Sequence, residues 1–444
     1  MEALREWMAR NIAQLLFLSF YFLTVVLGNL LYASPAGRWL ITADGLPADS
    51  LSFDTTFTFG FWVLLLMPLV LVPVGVWILR PVMQRFVIGA IVRLVPDFRR
   101  TDYLIAFAAV VSFVAYALWR TEAFTLVGNA MDAKQAIQAR FILQGRLSFA
   151  EKIAIHSLLP FMSFYAIAAA IKTGERLWFV LSVLTVATTC TALVAINMKW
   201  PVLVFYMGAI AGIFMFSKKW PYLKAVLGGI GLVVFYFVIS TYVFRWVPQD
   251  VAVQHSFDNS RGADLHPSLD YSALAESSFY SAPFLVIHAV NRMAISYPYY
   301  YKIFTDEGPV CGTLIQTYIP GKKPCAPTFL VYSRIFPDDG YAGRGSAPAA
   351  PQITAYAQQG WVGAVVGVLF VALVLAAFSA IPLSAGPMAA AFSIIGATVG
   401  YHYSQLPLEG PITYDHGVLW PFLLVIIYAL SRYSMAAAHG RRTA

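Results

Sequence analysis

The residues best suited to chemistry in this chain are basic, acidic and aromatic side chains gathered in a few polar stretches. His288 and Arg292 lie four apart in SAPFLVIHAVNRMAISY, whose apolar residues recur at helical spacing, so both share one face of a short helix. An arginine placed there suits a phosphate or pyrophosphate, because its planar fork and permanent charge match phosphate oxygens better than a lysine's point charge. The plainer reading makes Arg292 a lipid-headgroup anchor and His288 a partly buried histidine. Arg140 and Arg146 fall in the basic stretch 120–152, Lys199 stands alone in the turn NMKWP, and Arg334 follows PTFLVYS. Lys199 also reads as a snorkelling lysine at a membrane rim. Taken together, Arg140, Lys199, Arg292 and Arg334 would form a basic cavity suited to an anionic, lipid-linked substrate. Displacing a phosphate leaving group would further require a base for the attacking group, and aromatic rings could stack on a substrate. Asp258, Glu276 and His288 are candidate bases, with Asp132 and Asp415 as further carboxylates, and Tyr299, Tyr300 and Tyr301 are candidate stacking rings.

The elements that must position these residues are apolar helices. A window of about twenty residues, the length that crosses roughly 30 Å of hydrocarbon, finds ten segments with almost no ionisable residue: 12–32, 59–79, 103–119, 153–171, 177–198, 200–217, 223–244, 360–381, 387–405 and 416–431. Numbered alternately, one set of connections carries 15 Lys+Arg against 5 Asp+Glu and the other 15 against 17, together the 30 basic and 22 acidic residues of the chain. The positive-inside rule places the first set, and both termini, in the cytoplasm. Residues 81–96 read as a separate interfacial helix, and 343–352, GRGSAPAAPQ, as a loop. The chain divides into a seven-helix bundle (1–244), a long outer loop with short helices (245–355) and three C-terminal helices (356–444).

Composition agrees. With 59% apolar and 12% charged residues over 444 positions, and a mean hydropathy of +0.69, the chain is too apolar for a soluble multidomain protein. The net charge of +8 sits in short loops such as Arg80, Arg85, Arg93, Arg99 and Arg100, as topology and anionic-lipid signals rather than a nucleic-acid surface. The N-terminal apolar run continues without a cleavage site and reads as a retained first span. Cys311 and Cys325, with thirteen residues between them, face an oxidising compartment in this topology and are expected to be bridged. Asp306-Glu307-Gly308 and Asp338-Asp339-Gly340 read as solvated turns. His402, His416 and Asp415 gather near one turn without zinc-type spacing, so no metal site and no cofactor are expected.

The stretches AIQARFILQGRLSFAEKIAIHSLLPFMSFYAIAAAIKTG and AINMKWPVLVFYMGAIAG, then NRMAISYPYYYKIFTDEGPVCG and the closing PQITAYAQQGWVGAVVGVLFVAL, resemble the Wzy-type polymerases of O-antigen and exopolysaccharide repeat units. The resemblance covers about residues 103–381, and the G-W-x-G-x-x-x-G segment is its most suggestive part. It implies an all-α, C-type glycosyltransferase-like membrane fold in the bacterial inner membrane. It also implies undecaprenyl-diphosphate-linked sugars as donor and acceptor, and metal-independent chemistry on the periplasmic side. The family's basic residues fall on Arg140 or Arg146, on Lys199 and on Arg292. A chain-length regulator and a flippase would be partners. An O-antigen ligase, which transfers finished polymer to lipid A core, has a similar architecture. A transporter would carry charges or broken helices near the midplane of its spans, and a noncatalytic scaffold would have less need of a basic pocket.

Overall fold

In the computed structural model the described residues are 2–33, 58–130, 133–242, 294–314, 325–335, 346–413 and 417–440. They are helical, with no strand among them. The order is α1 (Glu2–Arg10), α2 (Ile12–Leu31), α3 (Phe59–Met83), α4 (Arg100–Arg120), α5 (Ala133–Arg146), α6 (Phe149–Thr173), α7 (Arg176–Ala195), α8 (Lys199–Phe216), α9 (Pro221–Tyr242), α10 (Tyr297–Asp306), α11 (Pro327–Ile335), α12 (Pro351–Ser379), α13 (Pro387–Tyr403) and α14 (Leu419–Gly440). Among the described residues six helices are long and apolar enough to cross a membrane: α2, α3 with its extension to Val92, α4, α6, α7 and α12. A helix also stands at each of the other four apolar segments, as α8, α9, α13 and α14.

Burial explains why these helices are apolar all round. On α2, Ala13, Phe17, Tyr21 and Val25 recur every four residues and are buried, while Phe22, Leu23 and Leu30 on the other faces are exposed. On α3, Trp77 is 78% and Val70 61% exposed. Apolar side chains of that size turned outward from a packed bundle fit a lipid surrounding. The centre is α6, whose residues 159–169 are all buried, packed against α7, α8 and α13. α2 lies so close to α13 that a Cβ on Gly400 would overlap the Ala13 carbonyl. The first and last stretches of the chain therefore interleave in one bundle. Pro160 lacks the N–H that His156 O would need, and the turn just before it widens to π geometry over Ala154–Leu158.

Two elements differ from the sequence reading. Residues 81–96 are not a separate helix: α3 runs on through a π turn at Gln84–Ile88 into Gly89–Leu94, because Pro81 removes one backbone donor without breaking the helix. Residues 351–358 are not the end of a loop but a buried helical arm. Backbone angles leave the helical region at Gln359 and Gly360 (φ +64°), and the arm folds back antiparallel along residues 361–379. A Cβ on Gly363 would overlap Ala355 O, and one on Gly367 would lie 3.1 Å from Ala355 Cβ and 3.3 Å from Pro351 O. The glycines of G-W-x-G-x-x-x-G thus serve a turn and two close backbone approaches. At its deep end the arm is held by Gln352 Nε2 donating to Tyr21 Oη at 2.5 Å, while Tyr21 donates to Leu65 O.

The connections segregate by parity to opposite ends. At one end Arg5 meets Ser217 O, Lys172 Nζ meets Leu383 O at 2.8 Å, Arg100 pairs with Glu175 at 2.6 Å, and Asp97 accepts from Met388 N at 2.7 Å. At the other, the loop end, Asn197 Nδ2 donates to Ala136 O, Thr58 Oγ1 to Tyr301 Oη, and Ser157 Oγ to Gly417 O.

Candidate functional site

At the loop end three connections converge on a cavity of about 370 Å³. The turn before α8 contributes Met198 and Trp200. The long segment contributes Cys325, Pro327, Thr328 and Ser346, with Thr354 and Gln358 from the buried arm. The turn after α13 contributes Leu406, Pro407, Glu409 and Gly410. Residues bearing hydroxyl, amide and carboxyl groups therefore help to line one largely apolar space of a size suited to a small ligand.

The wall is braced. Cys311 and Cys325 are joined by a disulfide with Cα atoms 5.9 Å apart, and Cys311 O accepts from Gln359 Nε2 at 2.6 Å, tying the bridge to the tip of the α12 hairpin. Glu409 O accepts from Thr413 N and Thr413 Oγ1, both at 2.9 Å, and from Ile412 N, which opens the short helix Gly410–Thr413. Burial raises the Glu409 carboxyl's pKa above its ordinary value, opposed by its own backbone N–H.

The candidate phosphate ligands do not all stand free in one cavity. Arg146 donates to Thr121 O at 3.1 Å and pairs with Glu122 at 3.2 Å. Arg334 pairs with Glu307 at 3.2 Å, seven residues along α11 from the cavity-lining Pro327. Both pairs are largely exposed, where an ion pair holds its partners by only about 0–1 kcal/mol. Arg140 is half-buried on α5, its guanidinium 5.0 Å from the Phe141 ring centroid. Lys199 opens α8 between the two cavity-lining residues Met198 and Trp200. Arg120 belongs to the fold: it forms a bidentate pair with the buried Glu151, 2.7 and 3.0 Å, which also completes a capping box with Ser148. Asp258, Glu276, His288 and Arg292 lie outside the described residues.

The tyrosines pack rather than stand open. Tyr300 is fully buried, its hydroxyl donating to Ala347 O at 2.8 Å, and Tyr299 is 6% exposed. Tyr301 is half-buried and stacks on Tyr356, ring centroids 5.8 Å apart. Helical periodicity puts Tyr297, Tyr300 and Phe304 on the face that seats α10 on the bundle, which covers the Tyr300 ring, and Tyr299, off that face, is buried as well.

Sequence reasoning did not single out Glu409 or His156. His156 and His402 line an inner cavity of about 40 Å³ between α6, α8 and α13. The His402 ring lies 4.7 Å from the ring of Trp200, which also faces the outer cavity. Among the described residues no group of three or more His, Cys, Asp or Glu side chains is placed to hold a metal ion. Comparison of the chain with known protein families, with curated proteins and with solved structures gives no match.

Proposed function

We propose that this chain is a ten-span membrane glycosyltransferase that polymerises undecaprenyl-diphosphate-linked oligosaccharide repeat units into O-antigen or exopolysaccharide. In this reading it sits in the bacterial inner membrane with cytoplasmic termini and a periplasmic loop end. The observation that carries the reading is the convergence of three loop-end connections on one cavity that a carboxylate, an amide and hydroxyl-bearing residues help to line. The connections with a net positive charge, 15 Lys+Arg against 5 Asp+Glu, are those of the opposite end, which this reading makes cytoplasmic. A second, apolar crevice of about 400 Å³ supports a lipid-borne substrate. It runs from Asp97 and Gly386 at the terminal end to Ile412 and Val418, a few residues from Glu409. Arg140, Lys199 and Arg292 would meet the departing diphosphate, with exposed Arg146 and Arg334 exchanging weak carboxylate partners for it.

Purified protein in lipid, given lipid-diphosphate-linked oligosaccharide and no nucleotide sugar, is expected to yield longer lipid-linked chains. Transfer only to lipid A core would identify a ligase instead. Movement of substrate across the bilayer without bond formation would identify a transporter.

A further inference from the structure

We propose that Glu409 is the base that accepts the proton of the attacking sugar hydroxyl in the loop-end cavity, an inference that rests on the glycosyl-transfer reading above.

Glu409 is set apart from the other carboxylates by its surroundings. Glu151, Glu122, Glu307 and Glu175 pair with Arg120, Arg146, Arg334 and Arg100, and Asp97 accepts the amide that opens α13. Glu409 has no ion pair among the described residues, yet it is half-buried and is the one ionisable side chain among the described residues lining the cavity. Two hydroxyls lie near enough to feel its charge, those of Tyr300 on α10 and Tyr403 on α13. Both spend their protons elsewhere, Tyr300 on Ala347 O and Tyr403 on Leu408 O. Neither phenol therefore donates to the Glu409 carboxylate, which lines the cavity with its own N–H as backbone donor. A half-buried acid with no cation beside it among the described residues costs stability, and such a cost is retained where the group performs proton transfer.

The step balances with one acid residue. The acceptor hydroxyl oxygen bonds to the donor's anomeric carbon, and the bond from that carbon to the diphosphate oxygen breaks. The electron pair leaves on the diphosphate, and the hydroxyl proton passes to the Glu409 carboxylate and then to water. The raised pKa makes the carboxylate a stronger base while leaving it ionised over the upper pH range.

The test compares wild type, Glu409→Gln and Glu409→Asp as full chains in lipid, with lipid-diphosphate-linked oligosaccharide as substrate. Glutamine is expected to lower kcat about 100-fold or more with little change in KM, and to abolish the rise of kcat/KM with pH. Among the described groups that face Glu409 outside the spans, the Tyr300 phenol titrates far higher, raised above its ordinary value by burial. Aspartate should retain part of the rate. The melting temperature of Glu409→Gln at pH 8 should equal or exceed that of wild type, since the neutral amide avoids burying a charge. A Gln variant within threefold of an active wild type, or one keeping the rising limb, overturns the inference and spares the polymerase reading. A wild type that forms no glycosidic bond overturns both. A fall in melting temperature of several degrees would make Glu409 a structural residue and also overturn the proposal.

Discussion

Removing the Arg120 guanidinium should unfold the loop end more readily than removing any other arginine there. Glu151 is 4% exposed and accepts Arg120 Nη2 on both oxygens, at 2.7 and 3.0 Å, with Nε at 3.3 Å. In Arg120→Ala the Ser148 amide, 2.7 Å away, and the Ser148 hydroxyl remain to hold that carboxylate. Stranding one member of a buried pair costs about 3–5 kcal/mol. Because the Arg120 side chain is 40% exposed and partly screened, the cost falls somewhat below that range, to about 2–3 kcal/mol. The comparison is Arg146→Ala, whose pair with Glu122 has side chains 45% and 66% exposed and should be worth under about 1 kcal/mol. Tryptophan fluorescence during denaturant unfolding in detergent reads both variants. A cycle of Arg120→Ala, Glu151→Gln and the double variant should give a coupling near ~2 kcal/mol. Equal losses from Arg120→Ala and Arg146→Ala, or a coupling below about 0.5 kcal/mol, would refute the burial reasoning. Activity lost in Arg120→Ala should track the folded fraction.

Other outcomes follow from the same structure. Arg140→Ala and Arg292→Ala should lower the polymerisation rate roughly 30- to 150-fold, the effect of losing a charge-assisted contact worth about 2–3 kcal/mol. Arg85→Ala, at the opposite end, should leave the rate nearly unchanged at matched expression. Gly400→Ala should destabilise by about 1–3 kcal/mol, because its methyl meets the Ala13 backbone rather than a movable side chain. Gly229→Ala, with nothing within 4 Å, should melt like wild type. Mass spectrometry of nonreduced peptides from protein exported through an oxidising compartment should recover Cys311 linked to Cys325; finding both alkylatable in native protein would contradict it.

The helices were legible because hydrocarbon-length apolar runs leave a local record, and each of the ten runs carries a helix. The arm at 351–358 left no such record. PQITAYAQ is short and polar, and it is helical and buried because Tyr21, Gly363 and Gly367 receive it, residues that local periodicity does not reveal. Glu409 was hidden for the same reason: the groups near enough to feel its charge, Tyr300 and Tyr403, come from two other elements. The tyrosine run was legible in principle. Spacings of three and four from Tyr297 to Tyr300 and Phe304 mark a seating face, which outweighs the attraction of adjacent rings as a stacking surface.

The α12 hairpin also bears on how the chain is made. An eight-residue arm carrying Gln352, Thr354 and Gln358 cannot enter hydrocarbon alone, since each unpaired amide would cost several kcal/mol there. Synthesis from the N-terminus delivers α2 and α3 first, so Tyr21 is already in place when the ribosome reaches Gln352. The arm can then slide into a prepared slot as residues 361–379 insert, and the order of the genetic message becomes part of the assembly instructions.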